Sequence, residues 1–267
     1  MTGTRSVPHL LSANDRGAIT CYGLRPMTKQ TLGKLPADAF GILELPALPA
    51  GVVEGFRALG DLTGMASDAM DELGIVGAIP SSVLKPTDAK ARIVGRALTL
   101  LNVPAERSVP ANVATGVSGM AEIEAHNLAE PGDVLVVQGV DQVSNMGGMS
   151  ASIGHRQGQI GAVVDGAVRD VDHSRGDGYA IWSRSVSPMT GKWRLKTVAV
   201  NKPVSVCGIT VNPGDLVLAD ETGVCFIPRE RATEVLARVK KIDENEKIRT
   251  TKIEAGVPVK DLLPGKK

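Results

Sequence analysis

The ten residues Gly161-Ala-Val-Val-Asp-Gly-Ala-Val-Arg-Asp170 constrain this chain more than any other stretch. Ile160 to Val164 is apolar and β-branched, which predicts a short buried strand of the kind found in covered sheets. Asp165-Gly166 is expected to break that strand, leaving Arg169 and Asp170 beyond the turn. A guanidinium and a carboxylate side by side beyond a strand end can hold an anionic substrate and a divalent cation together. The same dipeptide also suits a solvated ion pair with no function. The residues of this stretch leave both readings open.

The flanking pattern predicts an α/β domain. Met65, Ala69, Met70 and Leu73 recur at helical spacing, with Gly74 at the C-terminal stop. Ala91 to Val103 reads as a strand, Ala121 to Leu128 as a short helix, and Asp133 to Gln138 as a buried strand after Glu130-Pro131-Gly132. The glycine-rich Asn145-Met-Gly-Gly-Met149 opens a helix reaching about Gln157. Further strands are expected at Ala180–Arg184, Val204–Val206, Asp215–Ala219 and Val224–Ile227. A last helix spans Arg229–Ala255, with Ala232, Val235, Leu236, Val239 and Ile242 on one face and Gly256 as its stop. Alternating strands and helices followed by a strand-rich half give a mixed sheet. Residues 1–52 are Pro-punctuated and weakly periodic, so they read as an N-terminal extension to a domain at 53–267. Within the extension, Phe40–Leu45 suits either a strand or an arm packed on a neighbour.

Composition excludes some function classes. Aromatic residues make up 3% of the chain and net charge is +1, which argues against base stacking and against a phosphate-backbone footprint, hence against nucleic acid. Cys21, Cys207 and Cys225 are odd in number and widely spaced, as expected in a reducing cytoplasm. The N-terminal MTGTRSVPHLL lacks the apolar run of a signal peptide, and Glu44, Pro46 and Pro49 interrupt the most apolar early segment. A soluble cytoplasmic protein that does not enter membranes is expected.

The Gly147-Gly148 step at a helix start offers free amides for a carboxylate or phosphate, or simply permits a tight turn. If the strands before and after that helix are parallel neighbours, the glycines and Arg169 reach one sheet edge. No GxxxxGK[ST], GxGxxG or GxSxG motif is present. His126, His155 and His173 lack metal-ligand spacing, and His173 reads as a solvated loop residue. Cys207 and Cys225 read as packing residues, and nothing is assigned to Trp182 or Trp193.

Five ordered segments resemble one family. GAVVDGAVRD is similar to the signature of the RraA-like proteins. These include the class II 4-hydroxy-4-methyl-2-oxoglutarate/4-carboxy-4-hydroxy-2-oxoadipate aldolases and RraA, the protein regulator of ribonuclease E. Ser67-Asp-Ala-Met-Asp-Glu-Leu-Gly74, Glu130–Val137, Val211–Val224 and Ile227–Leu236 resemble other family segments, so the resemblance covers roughly residues 54 to 256. It implies an α/β/α sandwich of swivelling-domain topology, assembled as homotrimers or homohexamers with the site between subunits. It further implies that Asp170 ligates Mg²⁺ or Mn²⁺ and Arg169 binds the pyruvyl oxygens. By the same resemblance the amides of Gly147, Gly148, Met149 and Ser150 would hold the substrate carboxylate. Glu246, from a neighbouring subunit's last helix, orients metal-bound water. The family's arginine position beyond Glu246 is Thr250 here, with Arg249 adjacent, and Gly148 stands where the family is often acidic. The Asp172-His173 pair is a candidate replacement acid/base.

The activity so implied is cleavage of a small 4-hydroxy-2-oxo acid, or decarboxylation of oxaloacetate, through a pyruvate enolate. A non-catalytic ribonuclease regulator and a metal-dependent enzyme acting on another hydroxy or sugar acid are the alternatives, because fold does not settle chemistry.

Overall fold

The computed structural model describes residues 29–262; Cys21 and the segment weighed as a signal peptide lie outside the described residues. The first half runs α1 (Val52–Arg57), α2 (Thr63–Glu72), β1 (Ala78–Pro80), β2 (Lys85–Pro86), β3 (Ile93–Pro104) and α3 (Val109–Thr115). Then come α4 (Glu122–Leu128), β4 (Asp133–Gln138), α5 (Gly148–Arg156), β5 (Gly161–Val168), α6 (Val171–Gly176) and β6 (Ala180–Val186). The chain ends with β7 (Leu195–Val200), β8 (Val204–Val206), β9 (Ile209–Val211), β10 (Leu216–Ala219), β11 (Gly223–Ile227) and α7 (Ala232–Glu254).

The main sheet has the order β1-β11-β10-β3-β4-β5-β6-β2, with β7 added along β3. β3, β4, β5 and β6 are parallel neighbours, and the remaining pairings are antiparallel, so the sheet is mixed. Period-two alternation sorts the strand residues between the two faces. On β3, Val94, Leu98 and Leu100 point to one face, where α1, α2 and α7 pack at one end and α4 and α5 at the other. Ile93 and Ala97 point to the opposite face and meet Val204, Val206 and Val211 of the β8–β9 hairpin. With both faces covered, the parallel strands carry the near-continuous Val, Leu and Ile runs seen in the sequence.

The expected break at Asp165-Gly166 does not occur: β5 continues to Val168, with a register slip against β6 between Val164 and Ala167. Asp165 is tolerated inside the strand because its carboxylate is satisfied. It accepts the Cys207 amide at 2.6 Å and pairs with Arg184. Arg169 and Asp170 therefore leave the strand end directly, without a preceding turn. β7 was not expected either: its sequence, Leu-Lys-Thr-Val-Ala-Val, carries no apolar alternation to mark it.

The described part of the extension packs on its own chain. Phe40 forms a parallel bridge with Val200, the Gly41 amide donates to the Val200 carbonyl at 2.9 Å, and Leu45 is buried. The buried carboxylate of Glu124 accepts the amides of Leu32 (2.7 Å) and Lys34 (2.6 Å). Trp182 is fully buried and its indole N–H donates to the Asp220 carbonyl at 2.7 Å. Burial pushes the Cys207 thiol up to about 11 and the Cys225 thiol up to about 12, as expected of packing residues.

Candidate active site

Parallel pairing of β4 with β5 brings the loop before α5 to the end of β5. Asn145 fixes that loop: its side-chain carbonyl accepts the Val140 amide at 3.0 Å, and its side-chain amide donates to the Val140 and Val143 carbonyls at 2.8 Å. Its backbone amide donates to Ala167 at 2.8 Å, and the Arg169 amide donates to Met146 at 3.1 Å. The two loops are thus laced together, and the glycine step meets the Arg-Asp pair.

At that junction the Asp170 carboxylate accepts the Gly148 amide at 3.0 Å, and Arg169 Nε lies 3.5 Å from the same oxygen. Asp170 sits in left-handed backbone, φ 55° and ψ 42°, a conformation uncommon for a residue with a side chain and concentrated at functional sites. The glycines are needed for close approach. A Cβ on residue 147 would lie 2.8 Å from the Asp170 carboxylate, and one on residue 148 would lie 2.8 Å from His173 Cγ. The His173 ring therefore fills the space a side chain at 148 would take. Gly148, Met149 and Ser150 open α5, where amides have no intrahelical partner, and the Gly148 amide is already engaged by Asp170.

These residues line one cleft of about 270 Å³, with Met146, Gly147, Gly148, Met149, Ser150, Arg169 and Asp170 on its walls. That volume suits a small acid better than a nucleotide. Three roomier hollows, of about 420, 780 and 1030 Å³, lie elsewhere. In the 1030 Å³ hollow, Arg96 already pairs with Asp133 and Glu130. Glu122 and Lys192 also line the cleft and were missed by sequence reasoning. No motif marks Glu122, which enters because the N-terminus of α4 faces the glycine loop. Burial pushes its carboxyl up, countered by its own amide and by the charge of Lys34.

Behind the cleft, Ser150 Oγ is 2.8 Å from His126 Nε2, and His126 Nδ1 is 2.9 Å from Gln159 Oε1. His126 is fully buried, and desolvation lowers it to about 4, so the ring is neutral at neutral pH.

Glu246 does not join this cleft in its own chain; it lies on α7 beside Arg238, Arg249 and Glu72. The Asp172-His173 acid/base pair does not reach it either. Asp172 pairs with Arg175 at 2.6 Å, and His173 is on α6, not in a loop, with its ring 2.9 Å from Ser152 Oγ. His155 is exposed on α5. Among the described residues no three His, Cys, Asp or Glu side chains gather as a metal cluster, and no helix is long and apolar enough to cross a membrane.

The model of the RraA-like family, Aldolase/RraA, matches residues 63–226. This chain belongs to the RraA-like family. It is 31% identical over 198 residues to Protein DlpA of Legionella pneumophila, covering 71% of this chain and 30% of that protein. A Halalkalibacterium halodurans protein named "Putative 4-hydroxy-4-methyl-2-oxoglutarate aldolase" is 29% identical over 197 residues, covering 73% of this chain and 86% of that one. The solved structure of Streptomyces coelicolor RraAS2 is described as an unusual member of the RNase ES inhibitor RraA protein family. It superposes with a TM-score of 0.63 at 27% identity, over 76% of this chain and 97% of that one. An uncharacterized Pseudomonas syringae protein gives a TM-score of 0.68 at 26% identity, over 81% and 98%. The chain thus has an α/β fold with a mixed sheet that matches these solved structures.

Proposed function

We propose that this RraA-like protein is a divalent-metal-dependent carbon–carbon lyase. Its substrate would be a small 4-hydroxy-2-oxo acid or oxaloacetate, taken in the Arg169–Asp170 cleft in the cytoplasm. The observation that carries the reading is the convergence of Arg169, Asp170 and the first amides of α5 on one small cavity. The aldolase name borne by a relative spanning most of the chain supports the same reaction class.

The donor set suits Mg²⁺ or Mn²⁺ held loosely. Asp170 offers one carboxylate, about half exposed, which fits a hard cation that keeps most of its waters and takes the rest of its shell from substrate. Such an ion supplies Lewis-acid stabilisation of the negative charge developing on the oxo acid. Arg169 contributes positive charge at the pyruvyl oxygens, its backbone tied to the glycine loop by the bond from its amide to Met146 and its Nε 3.5 Å from Asp170. The amides of Met149 and Ser150, at the positive end of α5, receive the substrate carboxylate, while the Gly148 amide holds Asp170 in place. Glu246 would reach the cleft from a second copy in a homotrimer or homohexamer.

A pyruvate-release assay over 4-hydroxy-2-oxo acids and oxaloacetate, with and without Mn²⁺, tests the reading; turnover that depends on the metal is expected. The likeness to RraAS2 favours one other role, binding a ribonuclease without catalysis. Inhibition of a ribonuclease by the protein, with no pyruvate release across the panel, would establish that role instead.

A further inference from the structure

We infer that Glu122 is the acid/base carboxyl of the cleft. The inference rests on the lyase reading and names the residue that moves its protons.

Cleaving a 4-hydroxy-2-oxo acid breaks the C3–C4 bond. The C4 hydroxyl must lose its proton as the carbonyl forms, and the pyruvate enolate must gain one at C3. One group that takes the first proton and returns it to C3 balances the reaction with no further reactant. Such a group has to face the cleft, be free to change protonation, and hold its proton more tightly than an ordinary carboxylate.

The carboxyls on or near the cleft differ sharply on these counts. Asp170 is fixed by the Gly148 amide and lies beside Arg169. Glu124, two residues along α4, faces away and is consumed by the amides of Leu32 and Lys34. Asp172 is paired with Arg175 outside the cleft. Glu122 lines the cleft, is largely removed from water, and forms no ion pair among the described residues. Lys34 from the extension acts on its charge, and Lys192, Arg169 and Asp170 line the same cleft. Burial outweighs the pull of Lys34 and raises its carboxyl, which is the direction proton transfer near neutrality requires. His173 occupies the space beside residue 148, so a carboxylate cannot come from that position, and α4 supplies one to the cleft instead.

The test is Glu122→Gln, which keeps size and polarity. Oxaloacetate decarboxylation removes no hydroxyl proton, and water can protonate the resulting enolate. Glu122→Gln is therefore expected to lose about 100-fold or more in hydroxy-oxo-acid cleavage and less than about tenfold in decarboxylation. Equal losses in both reactions, or loss in neither, would overturn the assignment. A second readout needs no turnover: calorimetric titration of the protein with oxalate in the presence of Mn²⁺, in two buffers of different ionisation heat. Bound oxalate places negative charge near Glu122, so the wild type takes up protons on binding and Glu122→Gln does not. Identical proton uptake in both proteins removes Glu122 and leaves the lyase reading standing. Failure of the wild type to bind oxalate removes both.

Discussion

The Asp170 carboxylate accepts the Gly148 amide at 3.0 Å, joining the end of β5 to the start of α5. This one bond ties the proposed metal ligand to the proposed anion site, and a Cβ at residue 147 would crowd the carboxylate that makes it.

The two glycines should therefore fail differently. In Gly147→Ala the new methyl meets the tip of Asp170, which can swing aside, so stability changes little while Mn²⁺ affinity and turnover fall about tenfold or more. In Gly148→Ala the methyl meets Cβ and Cγ of His173, which cannot swing without moving α6. That variant should lose about 1–3 kcal/mol. Thermal unfolding alongside Mn²⁺ titration separates the two.

His126 should make the protein acid-sensitive. Its folded value is depressed to about 4 from 6.5, so the unfolded chain binds the proton first as pH falls. Its contribution is complete above about pH 6.5 and is lost progressively down to about pH 4, on the order of 3 kcal/mol in all. Urea unfolding at pH 7 and pH 4.5 should show a drop that His126→Gln largely abolishes.

Glu124 should hold the extension. Glu124→Ala leaves the Leu32 and Lys34 amides without their acceptor and a cavity beneath them. A loss of about 1–3 kcal/mol follows, with faster hydrogen exchange at those two amides. Unchanged exchange at Leu32 and Lys34 would contradict this role.

The fold was legible where periodicity carried it. β4 follows from its apolar run after Pro131-Gly132, α5 from its glycine-rich start, and α7 from its apolar stripe with Gly256 as the stop, and parallel pairing of β4 with β5 made the meeting of Gly148 and Arg169 foreseeable. The continuation of β5 through Asp165-Gly166 was not, because it depends on Cys207 and Arg184, distant residues that satisfy the Asp165 carboxylate. Glu122 was hidden for a related reason. On α4 it is one of two glutamates two residues apart, and only the tertiary arrangement turns Glu124 to the extension and Glu122 to the cleft. The loss of Asp172-His173 as an acid/base pair is equally tertiary, since Arg175 and Ser152 claim the two side chains.

The central claim is that Arg169 and Asp170 serve a metal-dependent lyase. Pyruvate release from a 4-hydroxy-2-oxo acid in the presence of Mn²⁺ should be compared for wild type, Arg169→Ala and Asp170→Asn, with folding checked by circular dichroism. We expect wild-type turnover that chelator abolishes, and losses of about 100-fold or more in each variant. Wild-type turnover that survives chelation, or folded variants as active as wild type, would contradict the account.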